Sequence, residues 1–157
     1  MRVLLMGAAL AAASMGCAMQ SVQPVPQAEV LYRGGQCGGA QAGLSWLGDA
    51  ESYHAVLSRT RAPSSGTLPE VDFADTGVVY VEMGERPTAG YGLDFLGARI
   101  EGEALVLELD WREPPEDAFT AQVITQPCLL LSMPKGDYRE IRAEDSQGQE
   151  RLQVKSL

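Results

Sequence analysis

The sequence predicts a mainly β domain: an antiparallel β-sandwich or open barrel with one short α-helix before the strands. Two observations carry this expectation. From Gly77 onward, runs such as "GVVYVEM" and "ALVLELDW" alternate with a period of two and are bounded by turn residues. Before them, "DAESYHAVLSRT" spaces its apolar residues as a helix does. Six or seven short strands following one helix bury their apolar faces most economically as packed layers.

Residues 1–16, "MRVLLMGAALAAASMG", hold one basic residue, Arg2, and an apolar run from Val3 to Ala13. That run suits a signal h-region and is too short to span a bilayer. Small residues leading to Gly16 and Cys17 read as a lipoprotein signal, in which Cys17 is acylated (palmitate among its chains) and becomes the mature N-terminus. Ser14 stands where such signals carry Leu, and an ordinary secretory cut nearby is the alternative. Either way the chain is exported. Ala18 and Met19 provide no Asp-type inner-membrane retention signal, which points to the outer membrane, facing the periplasm.

Residues 17–31 read as a lipidated N-terminus and tether, because Pro24 and Pro26 favour extended polyproline II and forbid helix. About a dozen such residues at ~3 Å each reach roughly 40 Å. Residues 32–157 then suffice for a single domain with one core. The net charge is −9, one unit more negative without Arg2. It argues against nucleic acid and against direct binding to an anionic bilayer, so the membrane is met through the lipid alone.

With Cys17 assigned to the lipid, Cys37 and Cys128 are left in an oxidising compartment. A disulfide between them would close a loop of roughly 90 residues and contribute up to about 4–5 kcal/mol; two buried thiols are the alternative. The segment "YRGGQCGGAQAG", Tyr32 to Gly43, is too glycine-rich to hold regular structure unaided, and the bridge would pin it. Asp49 is the N-cap candidate of the helix, with Glu51 in its first turn. Ala50, Tyr53, Val56 and Leu57 form its stripe, and Pro63 and Gly66 end it.

Among the strands, "GVVYVEM" turns Val79, Val81 and Met83 to one face. "YGLDFLGARI" is joined by the turn Glu101–Glu103 to "ALVLELDW", with Leu105, Leu107, Leu109 and Trp111 inward and Val106, Glu108 and Asp110 opposite. "AQVIT" and "CLLLSM" read as short strands separated by Gln126-Pro127, and the C-terminus as a hairpin turning at Asp145 to Gln149 with Leu152 and Val154 inward.

No catalytic residues, metal ligands or cofactor are expected. His54 lies mid-helix without a visible partner, and Ser64 and Ser65 in "APSSG" lack the strand-turn-helix setting of an activated serine. The carboxylates of "EPPED", Glu113 to Asp117, lack the glycine and spacing of a calcium loop and read as a solvated connection. "GERPTAGYG", Gly84 to Gly92, is no phosphate loop: it has no Lys, and Pro87 removes an amide.

That loop suits binding instead. Pro87 is rigid, Thr88 can brace the turn, and Gly84, Gly90 and Gly92 permit crowded or left-handed backbone. Arg86, Pro87, Thr88, Gly90 and Tyr91 are therefore the expected partner-binding residues, with Arg86 and Tyr91 of the types enriched at hot spots. A corner tyrosine packed inward is the competing reading of Tyr91.

The stretch "PEVDFADTGVVYVEMGERPTAGYGLDF", Pro69 to Phe95, resembles the C-terminal domain of the protease-complex subunit PrcB family. The shared pattern is Asp72-Phe73, a valine-rich strand ending at Gly84, and the loop Pro87, Thr88, Ala89, Gly90, Tyr91, in which Ala89 replaces a commoner Gly. The likeness continues more loosely to about residue 135. It implies a bacterial lipoprotein that associates with and stabilises an exported protease or envelope complex, without catalysis. Pro87, Thr88, Gly90 and Tyr91 are also similar to the loop of chagasin-type protease inhibitors, although Arg86 and Leu93 stand where those carry Asn and Trp. That second likeness implies direct protease inhibition by the same loop; a small-ligand binding protein is a further alternative.

Overall fold

The computed structural model describes residues 22–25, 27–60 and 70–155. The expected signal peptide, Cys17, Pro26, Pro63, Ser64, Ser65 and Gly66 lie outside the described residues. Among those described, the elements in chain order are β1 (Val22–Pro24), β2 (Glu29–Gly34), β3 (Gly43–Leu47), α1 (Ala50–Arg59), β4 (Thr76–Glu82), β5 (Gly92–Glu101), β6 (Ala104–Arg112), β7 (Cys128–Pro134), β8 (Glu140–Asp145) and β9 (Glu150–Lys155). They form a five-stranded sheet, β1-β5-β6-β8-β9, and a four-stranded sheet, β2-β7-β4-β3. The mainly β, sandwich-like class is as expected.

The apolar runs explain the layering. In β4, Val79 and Val81 face the core between the sheets, whereas Val78 and Tyr80 face the other way into a second cluster. β7 divides likewise, with Leu129, Leu131 and Met133 on one side and Cys128 and Leu130 on the other. Both strands are central and covered on two faces, so their sequences are continuously apolar rather than alternating. Leu105, Leu107, Leu109, Ile141 and Ala143 meet the first cluster from the five-stranded sheet. α1 closes the second cluster through Tyr53 and Val56. Its start is as the sequence indicated: the Asp49 carboxylate accepts from the Ser52 amide at 2.8 Å. Of the expected stripe, Tyr53 and Val56 are buried, Leu57 half-buried and Ala50 exposed.

Several expectations are corrected. Strands β1, β2 and β3 precede the helix, although the sequence suggested strands only after it. Residues 22–24 and 29–31, assigned to the tether, are paired: Val22–Pro24 with β5 and Glu29–Gly34 with β7. Pro24 is tolerated because β1 is an edge strand, where a missing N–H need break no ladder. β6 and β8 are parallel, since the chain crosses to the other sheet as β7 before returning. Val106, placed outward, is completely buried because its register neighbours Arg99 and Arg142 flank it on that face. "AQVIT" is not a strand; only Thr125 bridges, to Arg86.

The remaining pairings agree with the sequence. Glu101 pairs with Ala104 across a two-residue turn in the β5–β6 hairpin. Leu152 and Val154 of β9 pack on the central core. Cys37 and Cys128 form a disulfide spanning 91 residues of chain, with Cα atoms 5.9 Å apart.

Candidate functional site

The loop Gly84–Gly92 leaves the end of β4 and is fastened on two sides. On one side the glycine-rich segment holds it, with the Glu85 amide donating to Ala40 O at 3.1 Å. Gly84 has φ +76°, and a Cβ there would lie 2.6 Å from the Ala42 nitrogen, so the backbones are in contact and only glycine fits. On the other side the segment 113–127 holds it. Arg86 N donates to Thr125 O at 2.8 Å and Thr125 N returns to Arg86 O at 2.9 Å. The Thr125 hydroxyl donates to Thr88 O at 3.0 Å, and Ala89 N to Ala121 O at 3.0 Å. Gly90, at φ +98°, faces Pro114 and Thr120.

The expected binding residues are brought together, but not all of them project. Pro87 and Gly90 are exposed, whereas Arg86, Thr88 and Tyr91 are half-buried. Tyr91 packs against the central core, and the Arg86 guanidinium carbon lies 5.5 Å from its ring centroid. Such a cation–π contact contributes about 0.5–1 kcal/mol at a partly exposed site. The Arg86 Nε is buried without a hydrogen-bond partner among the described residues. Thr88 participates through its carbonyl, and Gly92 is the first residue of β5 with no left-handed φ.

Beside Tyr91 opens a cleft of about 270 Å³, lined among others by Arg33, Leu93, Asp94, Arg112 and Pro127. Asp94 pairs with both Arg33 and Arg112, and Arg112 Nε also lies 3.7 Å from Asp110. The cleft's charges are thus largely satisfied within the chain. Elsewhere, the Tyr80 hydroxyl donates to Glu82 Oε1 at 2.9 Å; burial first, and that carboxylate second, push its pKa well up. His54 sits exposed on α1, its ring 5.9 Å from that of Tyr53. Among the described residues, no three His, Cys, Asp or Glu side chains group to hold a metal ion. No helix among them is long and apolar enough to cross a membrane.

Sequence reasoning missed the outward face of the 113–127 segment. Phe119 is fully exposed, and Val123 and Ile124 are 47% and 54% exposed. The available signal was three apolar residues within a stretch delimited by Pro114, Pro115 and Pro127, a poor setting for a strand.

Residues 78–134 match the protein family described as PrcB C-terminal. The matched stretch runs from β4 through the loop, β5, β6 and the 113–127 segment to the end of β7, and agrees with the resemblance seen in the sequence. No curated protein and no solved structure matches the chain.

Proposed function

We propose that this chain is a lipid-anchored, non-enzymatic envelope protein that binds and stabilises an exported protease or protein complex through the Gly84–Gly92 loop. The family is that of a protease-complex subunit rather than a catalyst, which supports the association. The observation that carries the reading is the double fastening of the loop, to Ala40 on one side and to Ala121 and Thr125 on the other. A segment already ordered in the free protein loses little entropy on binding. Anchoring is through an acylated Cys17, at the outer membrane and facing the periplasm. The Cys17→Ser variant should leave the membrane fraction; retention there would refute the anchor.

The binding test compares partners captured by wild type with those captured by Arg86→Ala/Tyr91→Phe, which keeps the ring at position 91 packed while removing the guanidinium and the phenolic hydroxyl. Loss of a protease or its complex from the variant is the expected result. Identical partner sets with a folded variant would dismiss the loop. A stabilising subunit lengthens the protease's lifetime without lowering its activity on titration; a fall in activity would favour inhibition instead.

A further inference from the structure

We propose that the protein-docking surface extends beyond the Gly84–Gly92 loop onto the segment 113–126, with Phe119 as its anchor and Val123 and Ile124 beside it. Its counterpart is an apolar recess rimmed by Lys and Arg on the partner protein. The proposal rests on the reading that the chain binds a protein, but not on Arg86 and Tyr91 making the contact.

Scattered exposed apolar side chains are ordinary. Here three fall within six residues, and one of them is a fully exposed aromatic; such clustering marks interaction surfaces. Local rearrangement does not bury them, because the segment is pinned along its length. Ala118 N donates to Pro115 O, Ala121 and Thr125 hold the 84–92 loop, the Gln36 amide group donates to Ile124 O at 2.9 Å, and Gln126 N donates to Gly35 O at 2.8 Å. Prolines at 114, 115 and 127 keep it out of either sheet. The result is a platform of fixed backbone presenting apolar groups to water, so its loop-ordering cost on binding is small.

Charge selects the partner's chemistry. Glu85, Glu113, Glu116 and Asp117 are exposed on the same two fastened segments. Of the neighbouring cations, Arg86 is turned onto Tyr91, and Arg112 is paired with Asp94 and Asp110. An apolar centre with an acidic rim fits an apolar recess with a basic rim, and such complementarity acts chiefly on the association rate.

The experiment places a photo-crosslinking residue at position 119, 87 or, as an exposed control on β9, 153 of the full chain in intact cells. Crosslinked peptides are then mapped by mass spectrometry. Crosslinks from position 119 should concentrate on one protein, at apolar residues flanked by Lys or Arg. With that protein purified, Phe119→Ala should weaken binding by about 30-fold. Glu116→Lys/Asp117→Lys should slow association about 3- to 10-fold at low salt, an effect that disappears at high salt. Because Phe119 is fully exposed, its truncation should leave thermal stability unchanged. Crosslinking at 119 no greater than at 153, a mapped site without basic residues, or an affinity within 3-fold of wild type overturns the proposal. Crosslinks from 87 but not 119 would do so while leaving the loop reading intact, and none from either would end both.

Discussion

Reduction of the Cys37–Cys128 bridge should lower the unfolding free energy by about 4–5 kcal/mol. The magnitude follows from the 91-residue separation: opening a loop of that size restores chain entropy worth about 4.6 kcal/mol at 25 °C. Cys37 and Cys128 are 2% and 0% exposed, and both belong to the cluster beneath α1. Reducing wild type tests the bridge without removing a side chain from that cluster. The assay is urea denaturation of one preparation with and without reductant, followed through Trp46 and Trp111. A lower midpoint with a steeper slope is expected, because the opened denatured chain is less compact. The bridge also aligns Cys37 N with Gln126 O, 2.9 Å apart, and the Gly38 amide with the Gln126 side chain. Amide exchange at Cys37, Gln126 and Arg86 should therefore quicken before that of β6. A loss below about 1 kcal/mol, or unchanged exchange at those amides, would refute the reasoning.

Gly84→Ala should cost more than about 2 kcal/mol, because a left-handed φ alone costs about 1–2 kcal/mol for an L-residue and the added Cβ would sit 2.6 Å from the Ala42 nitrogen; unchanged stability on denaturation would contradict the fastening. Thr125→Val removes the hydroxyl bond to Thr88 O; a loss of about 1 kcal/mol, with faster exchange at Ala89, is expected from equilibrium unfolding and amide exchange. Acid should destabilise the fold through Glu101 and Asp145. The Arg99 hydrogen bond, then that of Arg142, holds Glu101 below its ordinary 4.5. The amides of Gln149 and Gln147, then Arg151, hold Asp145 below its ordinary 3.8. Carboxylates depressed in the folded state stabilise it above their unfolded values, and that stability is lost as pH falls through the folded ones. Stability should therefore decline below about pH 4.5, and Arg99→Gln should flatten the upper part of that decline in denaturation measured against pH.

What could be read from the sequence was whatever neighbouring residues settle among themselves. Asp49 caps α1 through an amide three residues away, the β5–β6 hairpin closes over two residues, and Asp145 bonds the turn amides of Gln147 and Gln149. The Cys37–Cys128 pairing was legible too, by counting thiols in a chain whose sequence reads as exported. The tertiary structure alone decided where distant segments meet. Val22–Pro24 looks like a polar tether until residues 99–101 supply its ladder. "AQVIT" resembles a strand until Arg86 accepts only Thr125 and turns Val123 and Ile124 to solvent. Tyr91 was as compatible with an outward as an inward ring until the core and Arg86 both came into contact with it. Periodicity records which face of a strand is apolar, but backbone hydrogen bonds are identical at every residue. The choice of partner strand therefore falls to packing between segments far apart in the chain.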